Sequence, residues 1–261
     1  RHAWSNIIAI YRQAKAFGIP LIMGLPVPMI AEDLGFLTQP VLDMLCRMAP
    51  PLKIVHGDGN LGVRGRDFEI LFSHPQAGPA SIKKNGTEWM WRGPRPAFWR
   101  APTENDIGCF FPGKSAIWSA VETHQKCVGR EILADSGEKF AIRYTFSADV
   151  MPDLKADVTY SVDRKGDMDV TVRYFGAENR PQLPLLGLRF ATTAPVEQTT
   201  WGGLSGETYP DRYKGAKAGR FTEIPHIPNY LVPQECGNHM NTHWAKLAVG
   251  SDSLYLEKND A

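Results

Sequence analysis

The chain has 261 residues with 29 Lys and Arg against 28 Asp and Glu, a near-balance that excludes a single-sign field able to gather nucleic acid or an anionic membrane face. Aromatic residues make up 10%, with seven Trp, and 24 Gly plus 20 Pro imply short strands joined by many turns. No run approaches eighteen apolar residues and the amino terminus has no basic stretch leading into an apolar core, so a soluble, cytoplasmic protein is expected.

Trp4, Ile7, Ile8, Tyr11, Ala14 and Phe17 follow helical spacing, and Gly18 with Pro20 stops that helix. The apolar run from Ile19 to Met29, broken by Pro20, Pro26 and Pro28, holds at most one short strand. Thr38 then caps a second helix through Met48, with Pro40 in its first turn. Pro50-Pro51 divides this helix-strand-helix segment, residues 1–51, from a main body over residues 52–261.

The main body reads as short β runs: Phe68 to Phe72, Phe140 to Phe146, Ala156 to Val162, Met168 to Tyr174, Leu185 to Thr192 and Leu247 to Leu256. In Asp169 to Tyr174 the even positions are apolar and the odd ones polar, which sets one face on a core and the other in water. Gly166 marks a hairpin turn between two runs, and no helix longer than two turns is expected beyond Leu52. The fold class is therefore mainly β, a sandwich. Cys46, Cys109, Cys127 and Cys236 are too scattered for a disulfide framework or a structural metal and read as buried free thiols.

Three polar clusters carry candidate chemistry. Phe98 to Gly108, FWRAPTENDIG, ends in an Asn105-Asp106 turn able to bond its own backbone, while Trp99 and Arg100 offer an aromatic face and a donor suited to a sugar ring. Trp201 to Arg212, WGGLSGETYPDR, presents Glu207, Tyr209, Asp211 and Arg212 after flexible glycines; Asp211 with Arg212 reads equally well as a surface bridge. Tyr230 to His239 brings Glu235, Asn238 and His239, followed by His243, at no recognised metal spacing, and a loop histidine of this kind is ordinarily solvated.

In that order, RAPTENDIG, Leu185 to Phe190, ETYPDR and PQECGNH resemble the carboxy-terminal domain, or separate small chain, of bacterial β-galactosidases of glycoside hydrolase family two, over roughly Leu52 to Ala261. The resemblance implies a large antiparallel super-sandwich of the galactose mutarotase type. It also implies that the nucleophile and acid/base glutamates of retaining hydrolysis, which must sit roughly 5 to 5.5 Å apart, lie in a partner catalytic domain or large chain. No catalytic residue and no cofactor is then expected here; magnesium and sodium belong to that partner. Residues carried over as substrate-binding or loop-architecture groups are Arg100, Asn105, Asp106, Glu207, Tyr209, Asp211, Arg212, Glu235 and Asn238.

Some features depart from the family pattern. A glycine-rich tail segment of the form M-G-x-G-G-D-D-S-W, which carries a sugar-stacking Trp in the family, has no match before Ala261, so truncation at the carboxy terminus is expected. Cys236-Gly237-Asn238-His239 replaces a string like N-G-N-R and removes a guanidinium. Residues 28–38, PMIAEDLGFLT, resemble the I-A-E-D-L-G-x-x-T motif of amylomaltase-type 4-α-glucanotransferases, which makes Glu32 an acid/base candidate without a nucleophilic partner. Two alternative readings stay open: a stand-alone carbohydrate-binding module, and a mutarotase-like aldose epimerase using His124, His226, His239 or His243.

Overall fold

The computed structural model describes residues 49–176, 179–210, 212–226 and 236–258. The amino-terminal helix-strand-helix reading, Glu32, Cys46, Asp211 and Glu235 lie outside the described residues.

Five strands open the main body: β1 (Lys53–His56), β2 (Asn60–Arg64), β3 (Phe68–Ser73), β4 (Gly78–Lys84) and β5 (Thr87–Glu88), paired antiparallel in chain order. Strand β6 (Met90–Ala97) follows, then three short helices, α1 (Glu104–Gly108), α2 (Phe111–Ser115) and α3 (Ile117–Thr123). A second meander, β7 (Gln125–Asp135), β8 (Lys139–Ala148), β9 (Met151–Asp163) and β10 (Met168–Tyr174), is again antiparallel. Strand β11 (Gly187–Thr192) returns to pair with β6. The last sheet holds β12 (Val196–Leu204), β13 (Ala218–Glu223), β14 (Trp244–Val249) and β15 (Asp252–Glu257) in the order β13-β12-β14-β15.

Alternation builds the core. Phe68, Ile70 and Phe72 point inward from β3, Val158, Tyr160 and Val162 from β9, and Phe140, Ile142, Tyr144 and Phe146 from β8. These side chains form one cluster between the first two sheets, with Phe72 edge-on to Tyr160 at 5.7 Å and tilted on Phe140 at 5.6 Å. Each such burial contributes roughly 1.5 to 3 kcal/mol. The result is a mainly β sandwich, as expected. Tyr160 extends the core's reach: its buried hydroxyl donates to Pro94 O at 2.6 Å and ties β6 to the sandwich, while burial pushes its phenol pKa up.

A second, smaller cluster positions the FWRAPTENDIG loop. Phe98, Trp118 and Val121 pack on Ala148, Met151, Leu154 and Ala156 at one end of β8 and β9. Trp118 stacks on Phe98 at 6.0 Å, and its indole N–H donates to Pro181 O at 3.0 Å. Ser115 Oγ donates to Gln182 O at 3.1 Å. The helices thus clamp residues 181–184 against the same end of the sandwich.

Gly166, at φ 88°, makes the expected hairpin between β9 and β10. The single run read over Leu247 to Leu256 is corrected: β14 and β15 form a hairpin that breaks at Gly250, whose φ of 60° suits a residue without Cβ. The thiols are also corrected. Cys109 is exposed and Cys127 and Cys236 are only half-buried, Cys127 packing against the main core cluster. No described helix is long and apolar enough to cross a membrane.

Candidate functional site

Glu122 organises the first cluster. Its Oε2 accepts from the backbone N–H groups of Phe98 at 2.8 Å and Trp99 at 2.7 Å, and its Oε1 accepts from the Arg189 guanidinium. Arg189 also donates to Trp99 O at 2.8 Å. The loop therefore leaves β6 with both faces of its first peptides fixed, by a helix residue 24 positions away and a strand residue 90 positions away.

Beyond that anchor the loop satisfies itself. Thr103 caps α1, its Oγ1 accepting from Asp106 N at 3.2 Å while Asp106 Oδ2 accepts from Thr103 N at 2.8 Å, a reciprocal capping box. Arg100 pairs with Asp106 at 2.5 Å, both side chains largely buried. Burial opposes ionisation of Asp106, but hydrogen bonds from Arg100 and Thr103 outweigh it and hold the carboxyl below the ordinary aspartate range. Asn105 lies exposed on α1, and its carbonyl accepts from Cys109 N at 3.1 Å. Trp99, Arg100, Pro102, Asp106, Phe111, Pro112 and Pro184 close on a crevice too narrow for a water molecule.

A testable consequence follows from Asp106. Its folded-state pKa is depressed, so its stabilisation is fully present above the unfolded value near pH 4 and is lost as pH falls through the lowered folded value. Asp106→Asn is expected to cost about 2 kcal/mol at pH 7. Thermal melts of the two proteins should converge as pH drops below the ordinary aspartate range; a gap that stays constant to the acid limit counts against the pair.

The second and third clusters interlock across the last sheet. Glu207 Oε1 accepts from Gly237 N at 3.0 Å, and its Oε2 accepts from the Tyr209 hydroxyl at 3.3 Å. Asn238 donates through its side chain to Thr208 O at 2.7 Å and accepts Thr208 N at its own carbonyl at 2.8 Å. Thr208, 2% exposed, also accepts Met240 N at its hydroxyl at 2.8 Å. Arg212 stacks over the buried Tyr209 ring at 4.7 Å, and their backbones form a two-residue antiparallel bridge.

His239 is not a solvated loop residue. Its Nδ1 lies 2.8 Å from Gly206 O, its Nε2 lies 2.9 Å from Glu223 Oε1, and its ring tilts against the buried Trp201 at 3.9 Å between centroids. Each ring nitrogen thus faces an oxygen of the protein. His239 does meet a carboxylate, the feature an epimerase needs, yet both nitrogens are engaged within the protein.

Arg100 and Asp106 thus come together in one loop, and Glu207, Tyr209, Arg212 and Asn238 in another. Glu122, Arg189, Thr208 and His239 hold these loops; of these, sequence reasoning named only His239, as a solvated loop histidine or an epimerase acid/base rather than a clasp. Arg189, Thr208 and His239 carried a signal through their places in the Leu185 to Phe190, ETYPDR and PQECGNH strings; Glu122 carried none. Among the described residues no three His, Cys, Asp or Glu side chains converge as a group that could hold a metal ion.

The arrangement has relatives. The family model described as "Beta galactosidase small chain" matches residues 64–255. The chain is similar to a protein named "Beta-galactosidase small subunit" from Latilactobacillus sakei, 37% identical over 217 residues that cover 75% of this chain and 68% of that protein. It is also similar to proteins named "Beta-galactosidase" from Streptococcus thermophilus, 36% identical over 74% of this chain, and Clostridium acetobutylicum, 36% identical over 64%. In both of these the match spans only 19% of the relative's length. With the match covering the sandwich from the end of β2 onward, both loop systems and most of the last sheet, the chain belongs to the β-galactosidase small-chain family.

Proposed function

We propose that this chain is a non-catalytic component of a retaining β-galactosidase, docking on a catalytic chain and supplying one wall of the galactoside site. The observation that carries the reading is the relationship to a small subunit over 68% of that subunit's length. The geometry supports it. Retaining hydrolysis requires two carboxyl groups roughly 5 to 5.5 Å apart. Neither the crevice lined by Asp106 nor the cleft lined by Arg95 and Arg130 brings two carboxylates together.

In this reading Arg100, Asp106, Glu207, Tyr209, Arg212 and Asn238 stiffen two loops so that the wall is formed before substrate arrives, which lowers the cost of completing the site. Asn105 belongs to the first of these loops. Magnesium and sodium are assigned to the catalytic chain. The free cysteines fit a reducing cytoplasm.

Mixing tests the assembly directly. Size-exclusion chromatography with light scattering of this chain and a family catalytic large chain, each at micromolar concentration, should give one heteromeric peak. Two separate peaks would remove the docking claim, and saturable lactose binding by the chain alone would favour a free-standing sugar-binding module.

A further inference from the structure

A cleft of about 470 Å³ opens where the first half of β7 runs beside β6 and the β3–β4 connection, apart from both loop systems described above. Its lining includes His74, Arg95, Gln125, Lys126 and Arg130, and no carboxylate. Burial first, then Arg130 and His56, lower the His74 pKa, so its ring is neutral at pH 7 and sits 3.0 Å from the Tyr144 hydroxyl. The cleft's positive charge therefore comes from Arg95, Lys126 and Arg130. Lys126 is balanced by Asp149. Arg130 is exposed, and its side chain makes no hydrogen bond or ion pair among the described residues.

Two further groups lining this cleft have unmet hydrogen-bonding capacity. Arg95 donates through Nη2 to Gln76 O at 2.9 Å, which fixes the guanidinium, and its Nε is buried without a partner. Gln125 donates through Nε2 to Pro96 O and Glu122 O, each at 3.1 Å, which fixes the amide and leaves Oε1 buried without a donor. Buried polar atoms are nearly always paired, so each orphan needs explaining. Here one side of the need is an acceptor, the other a donor.

We propose that this cleft binds a small hydroxylated oxyanion of the sugar phosphate class, with the oxyanion between Arg95 and Arg130 and a ligand hydroxyl donating to Gln125. The volume suits a small ligand rather than a peptide or nucleic acid strand. Guanidinium forks recognise oxyanions by paired, charge-assisted hydrogen bonds. The hydroxyl contact supplies the donor that a fully deprotonated oxyanion such as sulfate lacks.

The test is calorimetric titration of the whole chain with glucose 6-phosphate, inorganic phosphate and glucose at low salt. Glucose 6-phosphate should bind saturably, about tenfold more tightly than inorganic phosphate, and glucose should not bind measurably. Arg130→Gln, whose melting temperature should match the parent's because the side chain holds nothing in place, is expected to weaken glucose 6-phosphate binding about tenfold. Should that variant fail to fold, Arg130→Lys, which keeps the charge and loses the fork, should still weaken binding, by a smaller factor. Absence of saturable glucose 6-phosphate binding, or unchanged affinity in a folded Arg130 variant, overturns the proposal. Inorganic sulfate, which has no donor at pH 7, should bind more weakly than glucose 6-phosphate, and equal affinity for sulfate overturns the hydroxyl contact.

Discussion

Glu122→Ala is expected to lower the melting temperature by about 9 °C, the equivalent of about 3 kcal/mol in a domain of this size. The side chain is 18% exposed and accepts two backbone N–H groups while pairing with Arg189. Alanine leaves both N–H groups at the root of the FWRAPTENDIG loop without their acceptor and frees Arg189 from one of its two contacts. Water can reach Arg189, half-exposed, more easily than it can reach Phe98 N behind the buried Phe98 ring. The main loss is therefore the backbone acceptor rather than the ion pair. Glu122→Gln keeps an oxygen in place and should lose about half as much. Equal losses in the two variants would shift the weight to the charge; no loss in either would remove Glu122 as the anchor.

Trp118→Ala should cost more, about 4 kcal/mol, read as a lowered denaturant midpoint with an unchanged slope. Trp118 is 1% exposed, stacks on Phe98, meets Tyr174 edge-on at 6.0 Å and donates to Pro181 O. Its removal opens a cavity beneath the loop and also releases residues 181–184, the segment carrying Pro184 onto the crevice beside Arg100 and Asp106. Trp118→Phe refills most of the volume and gives up only the indole donor, an expected loss of about 1 to 2 kcal/mol. A Phe variant as unstable as the Ala variant would show that the bond to Pro181, not the packing, holds this end of the sandwich together.

These two residues mark the limit of what local pattern reveals. The period-two alternation of β10 was legible because one face meets the core and the other meets water, and Gly166 announced its turn. The Asn105-Asp106 turn was legible only in part: Asp106 does bond its own backbone, but the capping box it makes with Thr103 and the short helix it opens were not foreseen. Strand β6 was hidden by Pro94 and Pro96, which cannot donate to a ladder; Gln125 and Tyr160 use the carbonyls of those same residues instead. Strand β7 was hidden because its exposed edge carries Lys126, Arg130 and Glu131 in a mixed run without a clean apolar face.

The same distance argument separates the site residues. Arg100 with Asp106 is a short-range pair inside one motif, so a motif resemblance finds it. Glu122 reaches Phe98 and Trp99 only because the sandwich brings α3 under the loop, and no spacing in the sequence encodes that approach. His239 read as a solvated histidine because its partners, Gly206 and Glu223, lie 33 and 16 residues away. Folding, rather than local composition, turns it into the clasp between two loops.

The central claim is that this chain walls a galactoside site whose reacting acids lie on another chain. The most direct measurement is hydrolysis of a nitrophenyl β-galactoside by this chain alone, by a catalytic large chain alone and by the two mixed. The mixture should exceed the large chain by on the order of tenfold or more, as expected when a positioning wall is restored, with no turnover by this chain alone. Turnover by the isolated chain, surviving purification from contaminating glycosidase, would contradict the account, as would a mixture no faster than the large chain by itself.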